Sequence, residues 1–514
     1  MKHQSRWNLL VIPFAVIVMG MIPAFGTLAQ TDAPRPLEDI LPAFESLIES
    51  EMAYYHIPGM AVAIVQGNEI VYARGFGLRD VENNLPFSTD TRFLVGSTTK
   101  SMTSLLVAQM VERGVLTWDT PVTDILPGFR TSDDALTEQI TVRDLMGMGT
   151  GLESSPIAAL NWGEWTVDDM LNAIAEQAVG GDFGEHYAYN NEVYALAGYA
   201  ALSALGDELT SDAYAALIND SLFEAIGMPS ALVGDDQTHV GGDVAYPYET
   251  PILGDTEGFS RMTVPPIGVV APSGAVWMNV EDMARYVITQ KNGGITPDGT
   301  RIVDESILAE TWIPGVTVDF DAPGVTDPAY GMGWVSLNYH DLPILYHDGG
   351  WQGYSTQMMI YPSADVGVVL FANSTAGSSA NYALSFGLLE LLYGLEPAAV
   401  EHMRGEYDTF MMQINQLRAL VPDTAVSAED AEGIVGAYSD GWAVEHRDDN
   451  TLWINYGEWN FQIVPLPPEL VPNMYIAINN GGAGTFITLE QTETETALSL
   501  ALGTDELRIV RQNE

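Results

Sequence analysis

Strand-like patterning occurs in two widely separated parts of this chain, and a single sheet fed from both accounts for it. Residues 59–75 read as two strands around a Gly67-Asn68 turn. Gly331–Asn338, Pro343–His347, Tyr354–Tyr361 and Val366–Ala372 read as an antiparallel meander, with Pro362-Ser363-Ala364-Asp365 as one of its turns. Residues 115–330 between them are mostly helix and loop, rich in Gly and Pro. One helix is predicted from about Ser97 to Arg113, with Met102, Leu105, Leu106 and Met110 at helical spacing and Gly114 as its stop. Another opens at Asn279-Val280-Glu281-Asp282, a capping-box-like start. Early strands, a central helical mass and late strands predict an α+β domain: an antiparallel sheet flanked by helices, with a helical subdomain.

The rest of the chain follows different rules. A helical connector is expected over 396–428, and from about Gly433 the pattern changes to short strands with a turn roughly every ten residues, Asp448-Asp449-Asn450 among them. That predicts a small all-β barrel or sandwich over 429–514. The aromatics Trp453, Tyr456, Trp459 and Phe461 alternate there as strand residues do, and are expected in its core. At the other end, Lys2 and Arg6 precede an apolar stretch from Leu9 to Ile22 and a small-residue exit at Ala29. Residues 1–29 therefore read as a cleaved export signal, with an uncleaved anchor as the alternative. The expected location is extracellular, periplasmic or cell envelope, and the domain proper spans 30–395.

Composition narrows the chemistry. There is no cysteine, which excludes disulfides, thiolate metal sites, iron–sulfur clusters and thiol catalysis. The net charge of −50 repels phosphate backbones and anionic lipid, so neither nucleic acid nor a membrane surface is an expected partner. The eight histidines show no His-x-x-x-His or His-Glu-x-x-His spacing, and no metal or cofactor is expected.

Only three lysines occur, Lys2, Lys100 and Lys291, and one of them carries the most informative motif. Ser97-Thr98-Thr99-Lys100 opens the first long helix. Three residues of helix is a rise of about 4.5 Å and an offset of roughly 60°, so hydroxyl and amine share one face. A neutral amine there can take the serine proton during attack on an acyl carbon. Its pKa must then fall from about 10.4 towards 7, at a cost of roughly 4–5 kcal/mol that burial and the positive helix end supply. The bland alternative is an N-cap serine followed by a solvated lysine. That alternative puts the lysine at the electrostatically wrong end of the helix, and the functional reading is preferred. Tyr189-Asn190-Asn191 is the single Tyr-x-Asn of the chain, bringing a phenol able to move a proton and a carboxamide able to hold an amine or amide. His347-Asp348-Gly349-Gly350 ends one strand and leads into another, and its glycines allow close approach and an oxyanion-binding N–H. His239-Val240-Gly241-Gly242 has similar letters but lies in a loop, and His347 is preferred.

Ser-x-x-Lys, Tyr-x-Asn about 90 residues later and a late His-x-Gly, in that order, resemble the signature of penicillin-recognising serine hydrolases. The histidine variant looks like the class C β-lactamase-related group of D-peptidases, esterases and DD-peptidase-like proteins. Ile57-Pro58-Gly59, Pro272-Ser273-Gly274 and Tyr330-Gly331-Met332-Gly333-Trp334 are similar too, and the likeness covers roughly residues 40–395. The β module resembles the lipocalin-like C-terminal domains of some relatives. The resemblance implies a β-lactamase/transpeptidase-like fold with Ser97 as acylated nucleophile, Lys100 as its proton acceptor and Tyr189 as proton carrier to the leaving group. It also implies substrate contacts from Asn191, His347, Gly349 and Gly350, with an oxyanion hole from the Ser97 and Gly350 N–H groups. Where the family often has Thr-His-Thr-Ser-Gly-Leu, this chain reads Gly147-Met148-Gly149-Thr150-Gly151-Leu152. His347 removes a permanent cation from the third motif and Asp348 adds an acid, which argues against recognition of a β-lactam carboxylate. The expectation is an exported serine hydrolase acting on an ester or amide, either a peptide-like substrate, D-amino-acid ones included, or a small ester, with β-lactamase activity as a side reaction. The rivals are a non-catalytic, penicillin-binding-like sensor on the same scaffold and a metal- or carboxylate-dependent hydrolase, for which the spacings are missing.

Overall fold

The computed structural model of the chain describes residues 33–154, 158–235, 237–251, 253, 258–421, 425–468, 471–479, 485–492, 494–502 and 505–512. The expected export segment at 1–29 lies outside them. No helix among the described residues is long and apolar enough to cross a membrane. The residues form two units, one built from Ala33–Thr250 and Thr256–Gln413, the other chiefly from Ile414–Glu514.

In the first unit β1 (Gly59–Gln66) and β2 (Glu69–Asp80) turn at Gly67-Asn68, as the sequence predicts, and β3 (Leu85–Pro86) follows on β2. The late strands are β4 (Val316–Thr317), β5 (Val325–Tyr330), β6 (Val335–Tyr339), β7 (Leu342–Trp351), β8 (Tyr354–Tyr361) and β9 (Val366–Ala372). Together they make one nine-stranded antiparallel sheet in the order β3-β2-β1-β9-β8-β7-β6-β5-β4. Early and late chain meet at β1 and β9, where Met60 pairs with Ala372 and Gln66 with Val366.

Both faces of this seam are covered, which is why β8 and β9 are apolar or buried at every position instead of alternating. Helices α1 (Leu37–Tyr54) and α5 (Gly377–Tyr393) cover one face. A Cβ on Gly377 of α5 would meet Ala372 and Ser355. Helix α4 (Val280–Lys291) packs on the opposite face, where a Cβ on Gly367 would meet Val287. The expected start of α4 is realised: the Asn279 side chain accepts from the Asp282 N–H. Helix α2 (Thr99–Glu112) and helix α3 (Asn191–Leu205) form the centre of the helical mass. Helix α6 (Ala398–Leu420) follows α5.

Three expectations need correction. Residues 325–330 are a strand, not part of the helical and loop region. Residues 331–334 turn back before β6 begins at Val335, because Gly331 and Gly333 are wedged against neighbouring backbone. His347 does not end a strand: β7 runs on through Gly349 and Gly350 to Trp351, paired along that length with β8.

The second unit is an eight-stranded antiparallel meander, each strand pairing with the next from Gly436–Ala437 to Asp505–Val510. The sheet curls until its last residues bond its first: the Gln512 N–H donates to Ala437 O at 2.8 Å, and Tyr438 bridges Arg511. Of barrel and sandwich, the barrel is observed. Register puts Val444, Leu452, Ile454, Phe461, Ile463, Ile487, Leu498 and Ile509 on one buried face. Of the four aromatics expected in the core only Phe461 is buried; Trp453 lies on the other face under the Arg447 guanidinium, and Tyr456 stacks on Trp442.

Candidate active site

Ser97 sits in a single 3-10 turn, Gly96–Thr98, that runs straight into α2. The turn is held from both sides. Gly96 has φ of +54°, open to glycine at little cost, and a Cβ there would lie 2.7 Å from Gly350 N. A Cβ on Gly349 would lie 2.2 Å from Val95 O and 2.9 Å from Ser97 N. The two glycines thus let β7 press its backbone against the serine turn, and the Thr356 hydroxyl on β8 ties the contact by donating to Val95 O at 2.8 Å. Consecutive glycines inside a strand are poor β formers, and this close approach is what they are needed for.

Lys100 lies in the first turn of α2 and is fully buried. Its Nζ is 3.1 Å from Ser97 Oγ, 2.6 Å from Asn191 Oδ1 and 3.0 Å from the Ser273 carbonyl oxygen. The two carbonyl oxygens can only accept, so in the amine's neutral form they take both of its N–H bonds. The remaining direction, the lone pair, is left for the Ser97 hydroxyl. Burial drives the Lys100 amine well below its ordinary range, against the pull of the Asp348 and Glu192 carboxylates. The backbone beside it is fixed as well, with the Tyr194 hydroxyl donating to Lys100 O at 2.8 Å.

Tyr189 stands at the entry to α3, with its ring centroid 4.6 Å from Lys100 Nζ. Burial raises its phenol well above the ordinary value, and the Ser97 hydroxyl acts in the opposite direction, so the group is a neutral phenol beside the serine. Residues 189–192 alternate in purpose. Tyr189 and Asn191 face the Ser97–Lys100 pair. Asn190 caps α3 and donates to Leu152 O and Gln177 Oε1, and Glu192 accepts from Trp162 Nε1 and Ser154 Oγ at 2.9 Å each.

His347 reaches the same region and is 2% exposed. Its Nδ1 lies 2.5 Å from Asp348 O and its Nε2 2.9 Å from the Tyr330 hydroxyl. A carbonyl accepts only, so Nδ1 carries the proton and Nε2 accepts from Tyr330. Burial, aided by Lys100 and opposed by Asp348, pushes its pKa down to about 4, and the ring is neutral at pH 7. Both nitrogens are occupied within the protein. His239 lies in the short helix Gln237–Val240, and its side chain is outside the described residues.

The structure thus brings Ser97, Lys100, Tyr189, Asn191, His347, Gly349 and Gly350 into one place. The solvated-lysine alternative is overturned by the full burial of Lys100. Sequence reasoning missed the Ser273 carbonyl, the Tyr330 partner of His347, and Glu192. Ser273 and Tyr330 lie inside segments that carry the family likeness. Glu192 had no local signal beyond adjacency to Asn191. Among the described residues no group of three or more His, Asp or Glu side chains is placed to hold a metal ion.

The Beta-lactamase family model matches residues 44–390, more than half of the chain. The chain belongs to the beta-lactamase family. It is 24% identical over 442 residues to "Unguisins hydrolase ungD'" of Aspergillus campestris, covering 82% of this chain and 79% of that protein. It is 25% identical over 329 residues to "Penicillin-binding protein 4" of Amycolatopsis lactamdurans, covering 63% and 83%. The octameric penicillin-binding protein homologue from Pyrococcus abyssi shares its fold with a TM-score of 0.60 at 21% identity, over 92% of this chain and all of that one. A class C beta-lactamase from Rhodobacter sphaeroides superposes with a TM-score of 0.54 at 22% identity, over 68% of this chain and 98% of that one. The beta-lactamase family match stops before the barrel unit begins.

Proposed function

We propose that this chain hydrolyses an ester or amide through an acyl-enzyme on Ser97. The observation that carries the reading is the arrangement about Lys100 Nζ, whose two carbonyl acceptors leave its lone pair for the Ser97 hydroxyl. Ser97 Oγ attacks the acyl carbon as its proton passes to Lys100 Nζ. The oxyanion that forms is met by the N–H groups of Ser97 and Gly350, which the Gly96–Gly349 contact brings together. Tyr189 then passes the proton to the leaving group, and the acyl carbon–leaving group bond breaks. In the second half a water adds to the acyl carbon and gives its proton up by the same route, releasing the acid and restoring the Ser97 hydroxyl.

Charge narrows the substrate. His347 is neutral at pH 7 and burial drives the Lys100 amine well below its ordinary range, so the third motif brings no fixed cation, while the Asp348 carboxylate bears on the same centre. A substrate carboxylate next to the scissile bond is repelled there. Neutral or cationic esters and amides, peptide-like or small, are preferred over β-lactams and C-terminal carboxylates. The signal-like segment at 1–29 supports export.

Intact-mass measurement with a fluorophosphonate or a labelled penicillin tests this on wild type and Ser97→Ala. A single stoichiometric adduct on wild type alone, with turnover of a neutral ester, is expected. Adducts on both proteins, or turnover surviving in Ser97→Ala, would remove the mechanism. A stable adduct without any turnover would mark the sensor reading instead.

A further inference from the structure

Glu192 is fully buried, yet the chemistry above gives it no task. Its two oxygens are spent on Trp162 Nε1 and Ser154 Oγ. Trp162, itself 5% exposed, stacks on Trp351 with ring centroids 5.6 Å apart and planes 26° from parallel. Trp351 is held at its far side, Nε1 donating to Pro265 O at 3.1 Å. It directly follows Gly350, the proposed oxyanion donor on β7. The chain of contacts therefore runs from the residue after Asn191, through two indoles, to the residue after the oxyanion donor.

The direction of the substrate along β7 follows from where the proton goes. The pairing of β6 with β7 ends at Val335–Tyr346, so from His347 to Trp351 the strand has an open edge on the β6 side. His347 bonds Tyr330, which lies against Tyr187, two residues from Tyr189. The leaving group must sit at this end, because Tyr189 delivers its proton. The acyl group then extends past the oxyanion hole towards Gly350 and Trp351. Trp351 is only half-buried, so the residue keeps solvent-exposed surface at this end of the strand.

We propose that Trp162 and Trp351 form an aromatic wall of the acyl-side subsite, that this subsite takes an apolar or aromatic acyl side chain, and that Glu192 is the positioning residue that fixes the wall beside Asn191. This rests on the acyl-enzyme reading above for its direction. An indole pair of this size offers a large rigid apolar surface at small entropic cost. The carboxylate is placed to hold it because a tryptophan N–H in the interior needs an acceptor.

The test compares p-nitrophenyl acetate with p-nitrophenyl phenylacetate. In wild type the phenylacetate ester is expected to have the higher kcat/KM, by roughly the 10–200-fold that such contacts supply in an apolar pocket. Trp351→Ala should cut that ratio about tenfold or more, mostly through KM. Glu192→Leu should cut it as well, while Glu192→Gln, whose amide oxygen still accepts from Trp162, should restore most of it. A general folding defect would lower both esters alike and would leave the ratio in place. The same selectivity is read without turnover by titrating the two esters into Ser97→Ala and Ser97→Ala/Trp351→Ala and following tryptophan fluorescence. This keeps failure of the wall distinct from failure of the nucleophile. A ratio unchanged within twofold in Trp351→Ala, or Glu192→Gln behaving like Glu192→Leu, overturns the proposal.

Discussion

The two units treat ionisable side chains in opposite ways. The sheet-and-helix unit buries Lys100, Glu192 and His347 completely or nearly so. The barrel leaves its best-connected cation, Arg508, in water, with its side chain 45% exposed and its partners Glu490 and Glu495 each 41% exposed. A buried amine or imidazole costs stability, and a chain under selection for stability alone replaces it with something apolar. The barrel has made that replacement throughout the buried face of its strands, where Val, Leu and Ile line up in register. The first unit has not: Glu51, Asp80 and Asp282 are buried against Arg404, Arg261 and Arg285, whereas Lys100, Glu192 and His347 have no such ion-pair partner and gather about one serine. On the proposed function, the difference separates groups held for chemistry from groups held for solubility.

Substitutions at the two kinds of site should separate the two roles. The largest effect is expected at the amine: Lys100→Met keeps an apolar chain in the buried slot but removes the proton acceptor, and kcat should fall about 10²–10⁴-fold with the fold intact by circular dichroism. Turnover within tenfold of wild type would break the comparison at its centre. Gly349→Ala comes next. Its Cβ would run into Val95 O at 2.2 Å and push β7 away from Ser97 N, so a loss of about 10²-fold in kcat/KM is expected, far more than any change in substrate KM.

The third effect is on stability and has a sign fixed by burial. His347 has a native pKa of about 4, below the roughly 6.5 of an unfolded histidine. Between those values the unfolded chain takes up a proton that the native state refuses, so stability falls as pH drops from 6.5 to 4. The loss is about 3 kcal/mol, and urea unfolding at pH 7 and pH 4 reads it. In His347→Asn that part of the pH dependence should vanish. The smallest effect belongs to the barrel: Arg508→Gln should leave turnover and the pH profile unchanged and the unfolding midpoint nearly so, because an ion pair in water is worth little. A catalytic effect from Arg508 would show that the contrast between the units is drawn in the wrong place.

Local sequence carried the parts of this site whose cause is local. The Ser97–Lys100 spacing, the Gly67-Asn68 hairpin and the Asn279 cap are each set within a few residues, and each was legible. Helix α5 was not, because it begins Gly377-Ser378-Ser379-Ala380-Asn381, which reads as a loop and has no side-chain cap, while its helicity comes from packing against α1 and the sheet. Helix α1 carries Pro42 in its interior, which weakened the same signal there. Strand β7 read as stopping at His347 for a related reason. Glycine disfavours strands, and what keeps Gly349 and Gly350 in one is the approach of a turn from a distant part of the chain. Ser273 and Glu192 were invisible because one acts through its backbone carbonyl and the other through an indole that no spacing rule connects to it.

Pairing of β1 with β9 has a consequence for biosynthesis. On the ribosome, the Ser97–Lys100 helix emerges long before the glycines of β7, and the seam that locks them together waits for Ala372. In a nascent chain that ends between Gly350 and Ala372 that pairing is incomplete, so the sheet closes only after most of the first unit has been synthesised.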